Sequence, residues 1–138
     1  MSVNWITDHI AIGNYVDASD AALLQREGIA STLCLDGCLK GRAPADLGLQ
    51  RIVVMELVDG PGNEPDKFIR IVDTVSRLVA SHPPVLVHCH AGRSRSVVVV
   101  AGHLMRCRGL QPHEALRLVT AKREAEVTRA LEALLWHL

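Results

Sequence analysis

Aromatic residues are scarce in this chain: two tryptophans, one tyrosine and one phenylalanine in 138 residues, 3% in all. Aliphatic side chains must therefore fill its core. Net charge is missing as well. Fifteen basic and fifteen acidic residues cancel, so no bulk field attracts nucleic acid or an anionic membrane, and any attraction for anions must be local. No apolar run approaches the roughly 20 residues of a membrane helix, and the amino terminus carries no charged leader with an apolar core. These absences read as a soluble, intracellular, cytoplasmic protein without an integral membrane segment. A Cys-x-x-Cys pair is also lacking: Cys34 and Cys38 are more widely spaced, and no matching histidine pair accompanies them. No metal site is expected, and Cys34, Cys38 and Cys107 read as small core residues. Repeats, linkers and low-complexity stretches are absent, so the 138 residues should form one domain, 1–138, burying about two-thirds of its unfolded surface.

What is present is an alternation of short strands and helices. The hydrophobic fraction of 49% beside 22% charged residues suits a compact α/β core. A strand region over 5–12 puts Ile10 and Ile12 on one face, closes at Gly13-Asn14, and reads as an edge strand. Ser19 or Asp17 can cap a helix over 21–27 that Gly28 ends. Strands are predicted over 29–35 and 51–57, separated by a polar, glycine-rich loop over 36–48. Pro65 opens a helix with Phe68, Ile69, Val72, Val75, Leu78 and Val79 at a 3.6-residue repeat. Another helix starts at Pro112, and Val127, Leu131, Leu134, Leu135 and Leu138 mark the last. This order implies a mostly parallel sheet of four to five strands flanked by helices, in which ligands bind at the carboxyl ends of strands.

The decisive stretch is Leu86-Val87-His88-Cys89-His90-Ala91-Gly92-Arg93-Ser94-Arg95-Ser96. A buried parallel strand over 84–87 stops at a cysteine, and an apolar helix running to Gly109 begins seven residues later. A turn of this kind in front of a helix aims successive backbone N–H groups inward, with the positive end of the helix dipole behind them. The loop is built to hold an anion. A Cys89 thiolate at its mouth is stabilised by the same N–H groups and by Arg95, which makes the sulfur a nucleophile. Arg95 can fold back over the loop and grip two phosphate oxygens with its planar fork. Ser96 can donate its hydroxyl proton to the sulfur and so ease its departure from a covalent intermediate.

His88-Cys89-x-x-Gly92-x-x-Arg95-Ser96 resembles the signature of the cysteine-dependent protein tyrosine phosphatase superfamily, and Ala91-Gly92 with Ser94-Arg95-Ser96 is most similar to its dual-specificity branch. The resemblance runs nearly full length, through Ile10-x-Ile12-Gly13, Leu24 to Gly28-Ile29, Leu57-x-Asp59 and Glu114-Ala115. It implies the same compact α/β fold. It also implies a metal-independent, cofactor-free phosphomonoester hydrolase working through a cysteinyl-phosphate on phosphotyrosine and phosphoserine or phosphothreonine proteins or peptides, as a monomer. Phospholipid head groups are the alternative substrate class.

A leaving alkoxide or phenolate needs a proton. Asp59, thirty residues before Cys89, matches the family's general acid in order, spacing and context; Asp66, Asp36 and Glu64 are the reserves. His90, Ala91, Gly92, Arg93, Ser94 and Arg95 are expected to bind the phosphate. By the same resemblance His88 supports the site, hydrogen-bonding the backbone of Cys89 and favouring its thiolate. The basic residues His90 and Arg93 depart from most dual-specificity members and approach lipid-directed ones. They would suit multiply anionic substrates such as phosphoinositides or phosphatidylglycerophosphate, unless Arg93 points to solvent. Tyr15 is expected to line the cleft. Arg123 resembles a family arginine after the fifth helix, although the family pattern that follows it is missing. Cys34 or Cys38 could protect Cys89 as a disulfide, as in some superfamily members. His9, His82, His103, His113 and His137 show no partnering pattern. A phosphate-binding module without catalysis should lack the thiol or the acid, and a sulfurtransferase or arsenate reductase should lack the His-Cys lead-in and the upstream aspartate.

Overall fold

The computed structural model describes residues 3–138. Five strands form one sheet in the order β1-β2-β5-β3-β4, with β1 (Asn4–Thr7), β2 (Ile10–Gly13), β3 (Ser31–Cys34), β4 (Arg51–Val54) and β5 (Val85–His88). Only the β1–β2 pair is antiparallel. The parallel pairs share one register: Gly13 lies opposite His88 on one side of β5 and Cys34 on the other. All three parallel strands next to β5 or within it therefore end together, and the chain that leaves β5 emerges at the carboxyl edge of the sheet. The mostly parallel α/β architecture agrees with the sequence reading.

The predicted edge strand over 5–12 is two strands. Thr7 Oγ1 accepts from the amides of His9 and Ile10, both at 3.1 Å, and this side-chain-to-backbone pairing folds the chain back on itself. The outer half, β1, is the edge; β2, with the buried Ile10 and Ile12, is interior. Two helix starts also differ in detail. Helix α1 (Tyr15–Ala18) begins with a reciprocal cap between Asn14 and Asp17, each bonding the other's amide at 2.9 Å. Asp17 is thereby occupied, and Asp20 caps helix α2 (Ala21–Arg26) by accepting from Leu23 N at 3.1 Å. Strand β4 stops at Val54, short of the expected Leu57, and residues 55–64 run as an extended loop.

Helix α3 (Pro65–Ser81) and helix α4 (Arg95–Arg108) match their predicted bounds within a residue, because Pro65 occupies a first-turn position and Gly109, at φ 65°, accepts the left-handed end. They pack side by side on one sheet face, joined by α5 (Pro112–Thr120) and α6 (Arg129–Leu134). Ile10, Ile12, Leu33, Val85, Val87, Phe68, Val72, Val98 and Leu104 fill that core. The second face buries Ala11, Cys34 and Leu86 under Leu23, Leu24, Leu39 and Leu47. Aliphatics dominate both sides, as the shortage of aromatics requires.

Candidate active site

The loop between β5 and α4 is held from outside by its carbonyls. Tyr15 N donates to His90 O at 3.0 Å, Glu126 N to Arg93 O at 2.9 Å, and Arg123 Nε to Gly92 O at 2.9 Å, with Arg123 Nη2 on Ala91 O at 3.4 Å. In a trans peptide the N–H that follows a carbonyl points the opposite way. Outward carbonyls at positions 90 to 93 therefore turn the amides of Ala91, Gly92, Arg93 and Ser94 to the inside, and Gly92 N indeed reaches Cys89 Sγ at 3.2 Å. The concavity of donors ends on the first turn of α4. Gly92 is required twice over: its φ is 70°, and a Cβ there would lie 2.5 Å from the carbonyl oxygen of Gly13.

Cys89 is buried, 1% exposed, beneath this cradle. Ser96 Oγ lies 3.3 Å from its sulfur, so an amide donor and a hydroxyl converge on it. Arg95 opens α4; its Nη1 donates to Leu57 O at 3.2 Å, while its buried Nε has no hydrogen-bond partner. A buried guanidinium N–H without a partner is costly, and an anion in the loop would supply the missing acceptor. Asp59 sits in the loop after β4 rather than on the strand, and its Oδ1 accepts from Ser94 Oγ at 2.7 Å. A carboxyl group is thus tied directly to the loop that follows Cys89. The cleft over the loop, about 480 Å³, is lined by Asn14, Tyr15, Asp59, His90, Ala91, Arg93, Ser94 and Glu126.

Residues 10–134 match the family model for the catalytic domain of dual specificity phosphatases. The chain belongs to the dual specificity phosphatase family. It is 29% identical over 118 residues to dual specificity protein phosphatase 1 of Arabidopsis thaliana, covering 86% of this chain and 59% of the relative's length. A mouse dual specificity phosphatase crystallised with zinc tungstate superposes with a TM-score of 0.84 at 28% identity, covering 98% of this chain and 84% of that one. The structure of PTPMT1 in complex with PI(5)P shares the fold, with a TM-score of 0.77 at 18% identity over 99% of this chain and 95% of that one.

Within this member of the family the remaining residues take definite places. Tyr15 stacks flat on His90, ring centroids 4.3 Å apart and planes within 6°, so both form one wall of the cleft. Arg93 reaches the same cleft, but its Nη2 lies 4.0 Å from Glu124 Oε2 and Glu126 lines the rim beside it. Asp66, at the start of α3, and Glu64 before it are absent from the cleft lining, and Asp36 lies with His88 rather than on the cleft, so no reserve acid displaces Asp59.

His88 lies on the sheet face that carries Cys34. Its ring is fully buried, which pushes its pKa down to about 4 against the opposing charges of Asp36 and Asp17 and the backbone of Cys89. Neither ring nitrogen meets a partner at close hydrogen-bonding geometry, but the Cys89 backbone acts on the ring as a hydrogen-bond partner that raises its pKa, which is the contact expected of His88. The proposed shield of Cys89 by Cys34 is contrary to the fold. Cys34 is in register with His88 and packs with Leu86 on one face of the sheet, whereas Cys89 packs with Val87 and Val97 on the other.

Arg123 proves more central than its divergent surroundings suggest. Besides the loop carbonyls it reaches Asn4 Oδ1 at 3.0 Å. Burial lowers its pKa, opposed by the nearby Asp17 charge. Sequence reasoning passed over Asn4 and took Asp17 only as a candidate cap for α2; the spacing Asn14-x-x-Asp17 is the signal that places it at α1 instead.

Proposed function

We propose that this chain removes phosphate from phosphotyrosine, and from phosphoserine or phosphothreonine, in proteins through a cysteinyl-phosphate. The observation that carries the reading is the turn of the loop amides toward the Cys89 sulfur, reached by Gly92 N, beside the buried and unpartnered Nε of Arg95 where the next helix opens. In the first step Cys89 Sγ forms a bond to phosphorus as the bond to the leaving oxygen breaks, and Asp59 gives that oxygen its proton. In the second, water attacks phosphorus, Asp59 takes its proton, and the sulfur departs as a thiolate accepting from Ser96. Arg95 and the loop amides hold the three equatorial oxygens in both steps, where charge stabilisation contributes most.

The same machinery could act on a phospholipid, a reading favoured by His90 and Arg93 on the cleft. Two features support protein substrates instead. The Tyr15–His90 stack offers an aromatic wall to a phenyl ring, and Glu124 and Glu126 offset the Arg93 charge that a multiply anionic head group would need. Initial rates on a phosphotyrosine peptide, a phosphoserine peptide, phosphatidylglycerophosphate and a phosphoinositide, with and without chelator, test the choice, with Cys89→Ser and Asp59→Ala as controls. Peptide turnover lost in both variants is the expected result. A strong preference for either lipid would replace the substrate class, and no turnover on any of them would leave only phosphate binding.

A further inference from the structure

On the sheet face opposite the nucleophile, β3 and β5 end in register and deliver Cys34 and His88 side by side. The chain leaving β3 then turns sharply at Gly37, whose φ of 80° strains any other residue, and this turn brings Asp36 and Cys38 back over the same spot. One ligand atom from each of Cys34, Asp36, Cys38 and His88 lies within 4.8 Å of all the others. Asp36 Oδ1 already accepts from the Cys34 thiol at 3.3 Å and stands 4.0 Å from His88 Nδ1. The independent observation is His88 itself: a fully buried imidazole whose Nδ1 faces this cluster, 4.0 Å from Asp36 Oδ1 and too far for a hydrogen bond to it. Such a ring forfeits its hydration for nothing unless something else binds it.

We propose that Cys34, Asp36, Cys38 and His88 form a binding site for a thiophilic divalent cation, Zn²⁺. Two sulfurs, one imidazole and one carboxylate are the donors zinc takes, and they exclude magnesium and calcium, which want oxygen alone. Zinc–sulfur bonds of about 2.3 Å and zinc–nitrogen bonds of about 2.0 Å in a tetrahedron put ligand atoms roughly 3.3–3.8 Å apart. The cluster therefore needs to contract by about 1 Å at its widest. Cys38 is exposed and so gives the ion a path in from solvent. Binding forms two Zn–S bonds as the two thiol protons leave to solvent. Four protein ligands leave no open position, so the ion is structural. It would pin the 36–38 turn to the residue immediately before Cys89, and it stands apart from the phosphatase chemistry. The Cys-x-x-x-Cys spacing alone did not reveal it, because His88 joins only through the sheet register.

The test is titration of the reduced, metal-stripped chain with Co²⁺, read by absorption. One equivalent should give thiolate-to-cobalt charge transfer and the intense visible bands of a tetrahedral ion; Zn²⁺ should abolish both by displacement and raise Tm. Cys38→Ala, at the surface, and Asp36→Asn, which keeps the shape of a largely buried side chain, should each weaken Co²⁺ binding at least about tenfold while their metal-free far-ultraviolet circular dichroism stays unchanged. Cys89→Ser should bind as the parent does. The site is refuted if the parent chain shows no thiolate–cobalt band, or if the band persists undiminished in both ligand variants. Loss of the band in Cys89→Ser alone would likewise overturn it, by placing the metal on the nucleophile.

Discussion

Ser94 Oγ donates to Asp59 Oδ1 at 2.7 Å, across thirty-five residues of sequence. That bond joins the 89–95 loop to the loop carrying Asp59, so in the mechanism proposed above the proton donor is placed relative to the anion and not merely near it. It also makes the acid's contribution separable from its positioning.

Replacing Asp59 by Asn should lower kcat by about 10²–10⁴-fold on an alkyl phosphate and far less on an aryl phosphate whose leaving group needs no proton. Ser94→Ala should show the same leaving-group dependence at smaller size, about tenfold, the equivalent of ~1.4 kcal/mol for one lost charge-assisted bond. A series of aryl phosphates of graded leaving-group basicity measures both. Equal losses across the series in either variant would mean that Asp59 does not protonate the leaving oxygen.

Arg95 combines one committed donor, to Leu57 O, with an unpartnered Nε. Lysine has the charge but not the fork. Arg95→Lys should therefore lower kcat/KM by about 10²–10³-fold with little change in Tm, comparable to the loss of a main oxyanion donor elsewhere. Steady-state rates on a phosphotyrosine peptide decide it; a loss below tenfold would show that charge alone is sufficient and that bidentate gripping contributes little.

The parts of this molecule that local rules govern were legible from sequence. Pro65 and Gly109 mark helix ends because a missing N–H and a left-handed backbone are tolerated there whatever the surroundings, and the 86–96 stretch announces strand, cradle and helix in eleven residues. What depends on register or reach was not. Thr7 divides the first strand through its own side chain, a choice that hydrophobic pattern cannot register. Cys34 and His88 meet, and Cys34 and Cys89 part, only once β3 is paired with β5. Arg123 contacts a loop thirty-one residues away, and the buried Asp17 looked like a free cap because nothing in the sequence shows that Asn14 has already engaged it.

Arg123 should govern how firmly the cradle holds phosphate. Arg123→Met keeps the stem but strips the donors from Gly92 O and Asn4 Oδ1, leaving a loop carbonyl unpaired, at about 2–3 kcal/mol in stability. The carbonyls of the loop then lose their outward anchor and its amides their inward aim. Competitive inhibition by inorganic phosphate should weaken about tenfold alongside the lower Tm. An unchanged inhibition constant with the lower Tm would make Arg123 a stabilising residue only.

The pH dependence of stability should carry a signature of His103. Its ring is buried on α4, with Nδ1 2.9 Å from Ser76 Oγ of α3, and its pKa is lowered first by burial and then by the positive charge of Arg108. The unfolded chain thus takes up a proton near pH 6.5 while the folded chain does not. Stability falls as pH drops below about 6.5, at no more than ~1.4 kcal/mol per unit from this one group, until the folded ring itself protonates. His103→Gln can keep the bond to Ser76 but cannot titrate. Urea unfolding of the parent and the variant between pH 7 and pH 5 should give curves that converge as the pH falls, the variant losing less. Because every other titrating group is common to both chains, their difference isolates His103; parallel curves would mean that its ring protonates as readily folded as unfolded.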